Sequence, residues 1–110
     1  MNTIILMGEI RTLPVYHCTA RGRDLARIQL TTYDRRGRAH THHCTAWGPA
    51  ALDLHKHLKV GDRLAVKGEL LYRAREVAGQ KVAIPYVLIR SYSYAGVATG
   101  ASATRLTALQ

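Results

Sequence analysis

Trp47 is the single tryptophan in a chain whose 16 Lys and Arg outnumber 7 Asp and Glu, a formal charge of +9. An indole face can stack on a nucleobase, and a surplus of cations attracts phosphates, so these residue types together point to single-stranded nucleic acid. If residues 40–47 are extended, Thr41, His43, Thr45 and Trp47 project to one side, and His42, Cys44 and Ala46 to the other. The second set is smaller and more apolar and is assigned to the core. Trp47 is thereby placed outward beside His43 on a polar face. Arg35, Arg36 and Arg38 fall in a polar loop after Tyr33, where a mobile basic hairpin is expected to clamp phosphates. Arg73 and Arg75 share one outward face two residues apart. A guanidinium both stacks on a base and pairs with phosphate.

The other reactive residue types do not assemble into a second chemistry. His40, His42 and Cys44 share a strand face, and His55 and His57 lie in a helical stretch. Two residues two positions apart on a helix diverge by about 200°, so no zinc-ligand spacing results and no metal or other cofactor is expected. The carboxylates are scattered, no Ser or Cys has a base at a known spacing, and no Gly-rich loop precedes a helix, so no enzyme is predicted. Cys18 and Cys44 do not make a disulfide framework and are read as free, partly buried thiols. No apolar run approaches the ~18 residues that span a bilayer, and Gly8-Glu9 interrupts the apolar Ile4–Met7 stretch, which excludes a secretory signal. A cytoplasmic protein without membrane contact is expected.

The elements that must position these residues read mostly as strands. Residues 3–10 and 15–19 are extended, and Arg21–Asp24 is a turn. In the strand Leu25–Tyr33, the set Ala26, Ile28, Leu30 and Thr32 is the better core face. Gly48-Pro49 opens a short helix over 49–58, with Ala51, Leu54 and Leu58 at helical spacing. Leu64, Val66, Leu70 and Tyr72 then alternate with basic residues. Gly68 marks a bulge, and Tyr72 is assigned to the core or an interface. Ala78–Gln80 turns the chain into a last strand, Val82–Tyr94, with Pro85 implying an edge or a bulge. Residues 96–110 are small and low in complexity and are read as a flexible tail with a turn of helix at Thr104–Leu109. Strands with turns every ~10 residues predict a small antiparallel barrel.

Met1–Ile10, Leu13-Pro14-Val15-Tyr16, Leu25–Thr32, His42–Gly48 and Leu58–Leu70, in this order, resemble the bacterial single-stranded-DNA-binding protein family over roughly residues 1–92. The resemblance implies an all-β, five-stranded OB-fold β-barrel, residues 1–95, with one short α-helix between strands 3 and 4. It implies binding of single-stranded DNA largely without regard to sequence, in replication, recombination or repair. It also implies a homo-oligomer, dimer or tetramer, because the family pairs first strands and its matching histidine lies between subunits. Ile4, Ile5, Leu6 and His42 are the interface candidates. The sequence departs from the family where Thr41 and Arg75 replace aromatics. Arg75 and Tyr33 are therefore read as substitute stacking groups. The family's acidic C-terminal tip is not matched by Thr107-Ala108-Leu109-Gln110. The expected nucleic-acid-binding residues are Trp47, Tyr33, Arg35, Arg36, Arg38, Thr41, His43, Arg73 and Arg75. The alternatives are a replication-restart (primosomal) adaptor and an RNA-binding OB module, each acting mainly through protein contacts.

Overall fold

Ala26, Ile28 and Leu30 are almost inaccessible to solvent, as their period of two requires of a strand with one face on a core. The computed structural model describes residues 1–97. The order is β1 (Ile4–Ile10), β2 (Val15–Cys18), β3 (Asp24–Tyr33), β4 (Ala39–Trp47), α1 (Pro49–His57), β5 (Asp62–Val77) and β6 (Gln80–Val97). The expected tail lies outside the described residues beyond Val97, as does its turn of helix. The sheet runs β1-β5-β6-β4-β3-β2, and an extra β1–β3 pairing closes five of the strands into a ring of OB type. Two short seams make the closure. Glu9 and Ile10 pair with Thr31 and Leu30, and Cys44 and Thr45 of β4 run parallel beside Val87 and Leu88 of β6. The sixth strand, β2, is additional to the expected five and lies outside the ring. It pairs with the first half of β3, on the same edge that β1 occupies further along. The helix keeps its expected place in the chain, between what are now β4 and β5.

Helix α1 starts where the sequence dictates, with Gly48 as N-cap and Pro49 in its first turn, where a missing N–H leaves no gap. Ala51 and Leu54 are fully buried and Leu58 nearly so. A leucine in that position contributes about 1.5–3 kcal/mol by leaving water. Asp53 on the opposite side fastens the helix to β6. Its Oδ2 accepts from Tyr92 OH at 2.6 Å and Tyr94 OH at 2.9 Å, and His57 Nδ1 lies 2.9 Å from its Oδ1. The two phenols, in that order, hold the Asp53 carboxyl below its ordinary range.

Three details of the sequence reading change. Tyr72 continues the core-facing alternation of β5, but it lies beyond the end of the ring and is 62% exposed. Cys18 is exposed, because β2 has no layer outside it, while Cys44 is buried and its thiol is pushed up to about 12 by that burial. The Asp34–Arg38 segment is a pinned turn rather than a mobile loop. Asp34 Oδ1 accepts from the Arg36 and Arg38 amides at 2.8 and 3.0 Å. Its Oδ2 accepts from Arg38 Nε at 3.2 Å and lies 2.8 Å from His40 Nε2.

The predicted irregularity at Gly68 is present as a register shift between Lys67 and Gly68 in the β5–β6 ladder. The strand is crowded there, since a Cβ on Gly68 would stand 2.0 Å from the Leu88 carbonyl oxygen. β5 ends its pairing with β1 at this point, β6 stays in the ring through Leu88 and Val87, and from Tyr72 and Pro85 outward the hairpin pairs only with itself as an arm. It closes through Ala78 and Gly79, whose positive φ values of 51° and 78° suit the tight hairpin turn.

Gly68→Ala should lower the unfolding free energy, measured by denaturant titration, by more than the ~1–3 kcal/mol typical of overpacking, because the obstructing atom is backbone. The Asp34 turn carries a pH signature. His40 first, then the Arg38 and Arg36 amides, hold its carboxyl at about 2 against an ordinary 3.8. Its depressed value means that its stabilisation is complete above about pH 4 and is lost as the pH falls towards about 2. The Tm difference between the parent and Asp34→Ala, followed by circular dichroism, should persist at neutral pH and close across that window.

Candidate nucleic-acid interface

The outer face of the β3–β4 hairpin is built from facing pairs. Leu25 stands opposite Trp47, Arg27 opposite Thr45, Gln29 opposite His43 and Thr31 opposite Thr41. The sidedness expected of β4 holds. Cys44 and Ala46 are buried inward, His42 is half-buried, and His43 and Thr41 are exposed outward. Leu25, Thr31 and Thr45 are the exceptions, outward-facing by alternation but only 5%, 3% and 8% exposed. For Thr31 the covering strand is β1, which closes the ring against it.

A groove of about 370 Å³ lies on this face. Arg27, Gln29, His43 and Thr45 form its floor, Leu13 and Val15 one wall, and Arg73 and Tyr86 from the β5–β6 arm the other. No carboxylate lines it. Elsewhere the acids are occupied: Glu9 by Tyr33, Asp24 by Tyr16, Asp53 by Tyr92 and Glu69 by Arg90. Asp34 and Asp62 accept backbone amides. Six of the seven carboxylates thus have local donors, and the surplus positive charge has no internal counterpart at the groove.

Of the residues expected from the sequence, the fold brings His43 and Arg73 together in the groove. Trp47 lies on the same face of β4, one outward residue past Thr45, and is half-buried. The Arg23 guanidinium sits over its ring, 4.3 Å from the centroid. Arg75 is exposed further out on the arm, on the same side as Arg73. Arg35, Arg36 and Arg38 cluster at the tip of the β3–β4 hairpin, away from the groove lining. Tyr33 is drawn towards β1, where its hydroxyl donates to Glu9 Oε1 at 2.9 Å, so it does not join the groove. Thr41 instead borders a small hollow with Ile4, His42 and Leu70.

Sequence reasoning passed over Arg23, Arg27, Gln29 and Tyr86. Arg27 and Gln29 alternate with the core-facing Ala26, Ile28 and Leu30, and the short loop after Tyr33 pairs them with Thr45 and His43. Tyr86 was accessible through the turn. A two-residue Ala78-Gly79 hairpin fixes Val77 opposite Gln80, hence Arg73 opposite Ile84 and diagonal to Tyr86. The Arg73 guanidinium is 5.7 Å from the Tyr86 ring centroid.

The interface candidates share one region. β1 pairs with β5 from Ile4 to Glu9, but with β3 only at Glu9 and Ile10. Its second edge is therefore unpaired from Ile4 to Gly8 among the described residues, and Ile5 is 70% exposed. His42 Nε2 lies 2.8 Å from Thr32 Oγ1. Burial first, then the nearby His40 and His43, pushes the His42 pKa down and favours the neutral ring. The histidines do not converge on a metal. His40 faces Asp34, His57 faces Asp53, and among the described residues no three potential ligands are grouped. No described helix is long and apolar enough to cross a membrane.

A search of curated proteins returned no match. The family model described as the single-strand binding protein family matches residues 1–94, which takes in the helix, the arm and all of the ring but the last three residues of β6. With an OB-type ring, a carboxylate-free basic groove and an outward tryptophan all inside that span, the chain belongs to the single-strand binding protein family.

Proposed function

We propose that this chain holds single-stranded DNA along the outer face of β3 and β4, without regard to sequence and without catalysing a reaction, in replication, recombination or repair. The observation that carries this is the groove itself. Arg27, His43 and Arg73 supply cationic or protonatable groups, Gln29 and Thr45 supply hydrogen bonds, and Tyr86 supplies an aromatic wall. Trp47 extends the same face as a stacking station. Such a surface contacts phosphates and base faces rather than base edges, so it tolerates any sequence. Arg73 and Arg75 extend the path along the arm, and Arg35, Arg36 and Arg38 offer further phosphate contacts at the hairpin tip.

Assembly into a homo-oligomer is proposed through the free β1 edge. Unpaired N–H and C=O groups from Ile4 to Gly8 next to exposed Ile5 form a template for a second copy. His42 and Ile4 line the adjoining hollow and would be covered by it.

Trp fluorescence titration with oligo(dT), the matching RNA and a duplex tests the binding reading, and oligo(dT) should bind most tightly. Equal binding to the duplex would overturn it, and preference for the RNA would reassign the module to RNA. Trp47→Ala should weaken oligo(dT) binding by about 1–3 kcal/mol while leaving the circular dichroism spectrum unchanged. Affinity should fall with salt on a log–log slope of about −0.7 per phosphate contacted. Arg27→Ala and Arg73→Ala should each make that slope shallower by about one contact.

A further inference from the structure

Arg23 lies in the turn between β2 and β3, and the turn fixes its backbone from both sides. The Arg23 amide donates to Thr19 Oγ1 at 3.1 Å, and the Arg23 carbonyl accepts from the Thr19 amide at 2.8 Å. The side chain is thereby directed from a preformed anchor, and its guanidinium covers the Trp47 ring at 4.3 Å. The guanidinium belongs to no ion pair among the described residues. Its neighbour in sequence, Asp24, is taken by the Tyr16 hydroxyl. The cation therefore rests on the ring by cation–π attraction alone, worth about 0.5–1 kcal/mol at an exposed site, an amount a stacking base can replace.

We propose that Arg23 is an exchangeable cap on Trp47: a base displaces the guanidinium from the indole, and the freed guanidinium pairs with a phosphate of the incoming strand. This rests on the reading of Trp47 as a stacking station. Two features favour exchange over a fixed lid. Nothing but the ring holds the guanidinium, and its planar fork is matched to phosphate oxygens. The cap also keeps the half-buried indole of the free protein from offering a bare apolar face. At the other end of the groove Arg73 stands over Tyr86 in a looser version of the same arrangement, 5.7 Å from the centroid.

The test compares Arg23→Ala and Arg23→Lys with the parent protein, using acrylamide quenching of Trp47 and oligo(dT) binding across a salt series. The turn's hydrogen bonds come from the Arg23 backbone and the Thr19 side chain, so both variants keep them. In the free protein, both variants should make Trp47 more accessible to acrylamide, because neither side chain presents a planar cap. Arg23→Ala should lose one phosphate contact, so that its deficit against the parent shrinks by about fivefold over a tenfold rise in salt. Arg23→Lys should keep the parent's salt slope. Unchanged quenching in both free variants, or an unchanged salt slope for Arg23→Ala, overturns the exchange. If oligo(dT) binds the parent without altering Trp47 emission, the stacking station fails instead, and the cap with it.

Discussion

A single close approach organises this molecule. Gly68 of β5 passes so near the Leu88 carbonyl of β6 that no side chain fits between them. The hairpin slips register there and changes direction. Before that point β5 and β6 are walls of the ring, with Leu64 and Val66 in the core. Past it β6 completes the ring through Val87 and Leu88 beside β4, and only then does the hairpin run on as an arm whose Arg73 and Tyr86 overhang the β3–β4 face. One hairpin thus encloses the core and supplies one side of the groove. The extra residue of the slip falls on β6 at Arg90, so the inward set there passes from Val87 and Ile89 to Tyr92, while β5 keeps its alternation.

The charge distribution follows a similar division of labour. The negative residues are spent inside the fold: Asp53 fastens the helix to β6, Asp34 pins the β3–β4 turn, and Asp24 ties β2 to β3 through Tyr16. Many of the arginines project from the outer face and the loops. At the groove their field has no neighbouring carboxylate to cancel it, so it acts on anions from solution.

The faces of β3 and β4 were legible because alternation is a local property, and Ala26, Ile28, Leu30, Cys44 and Ala46 lie where a period of two puts them. The helix was legible from Gly48-Pro49 and the spacing of Ala51, Leu54 and Leu58. The core reading of Tyr72 fails because alternation tells which side a residue faces but not where the core ends along the strand. The separation of Tyr33 from the groove was not legible because its partner, Glu9, is 24 residues away and is brought near only by ring closure. The Asp34 turn shows the limit from the other side. Its composition is that of a solvated loop, and only the convergence of two amides, a guanidinium and an imidazole on one carboxylate makes it rigid.

The sequence by itself determined a basic, all-β chain with an outward tryptophan and an OB-type order of elements. Those properties depend on residue type and on spacing within a single strand or turn. Tertiary structure alone decided which arginine covers Trp47, that Arg27 and His43 share a groove with Arg73 and Tyr86, and that Tyr33 is excluded from it. Each of these is a meeting of segments far apart in the chain. Their proximity is set by the register slip at Gly68 and the two short seams that close the ring, neither of which any local pattern encodes in full.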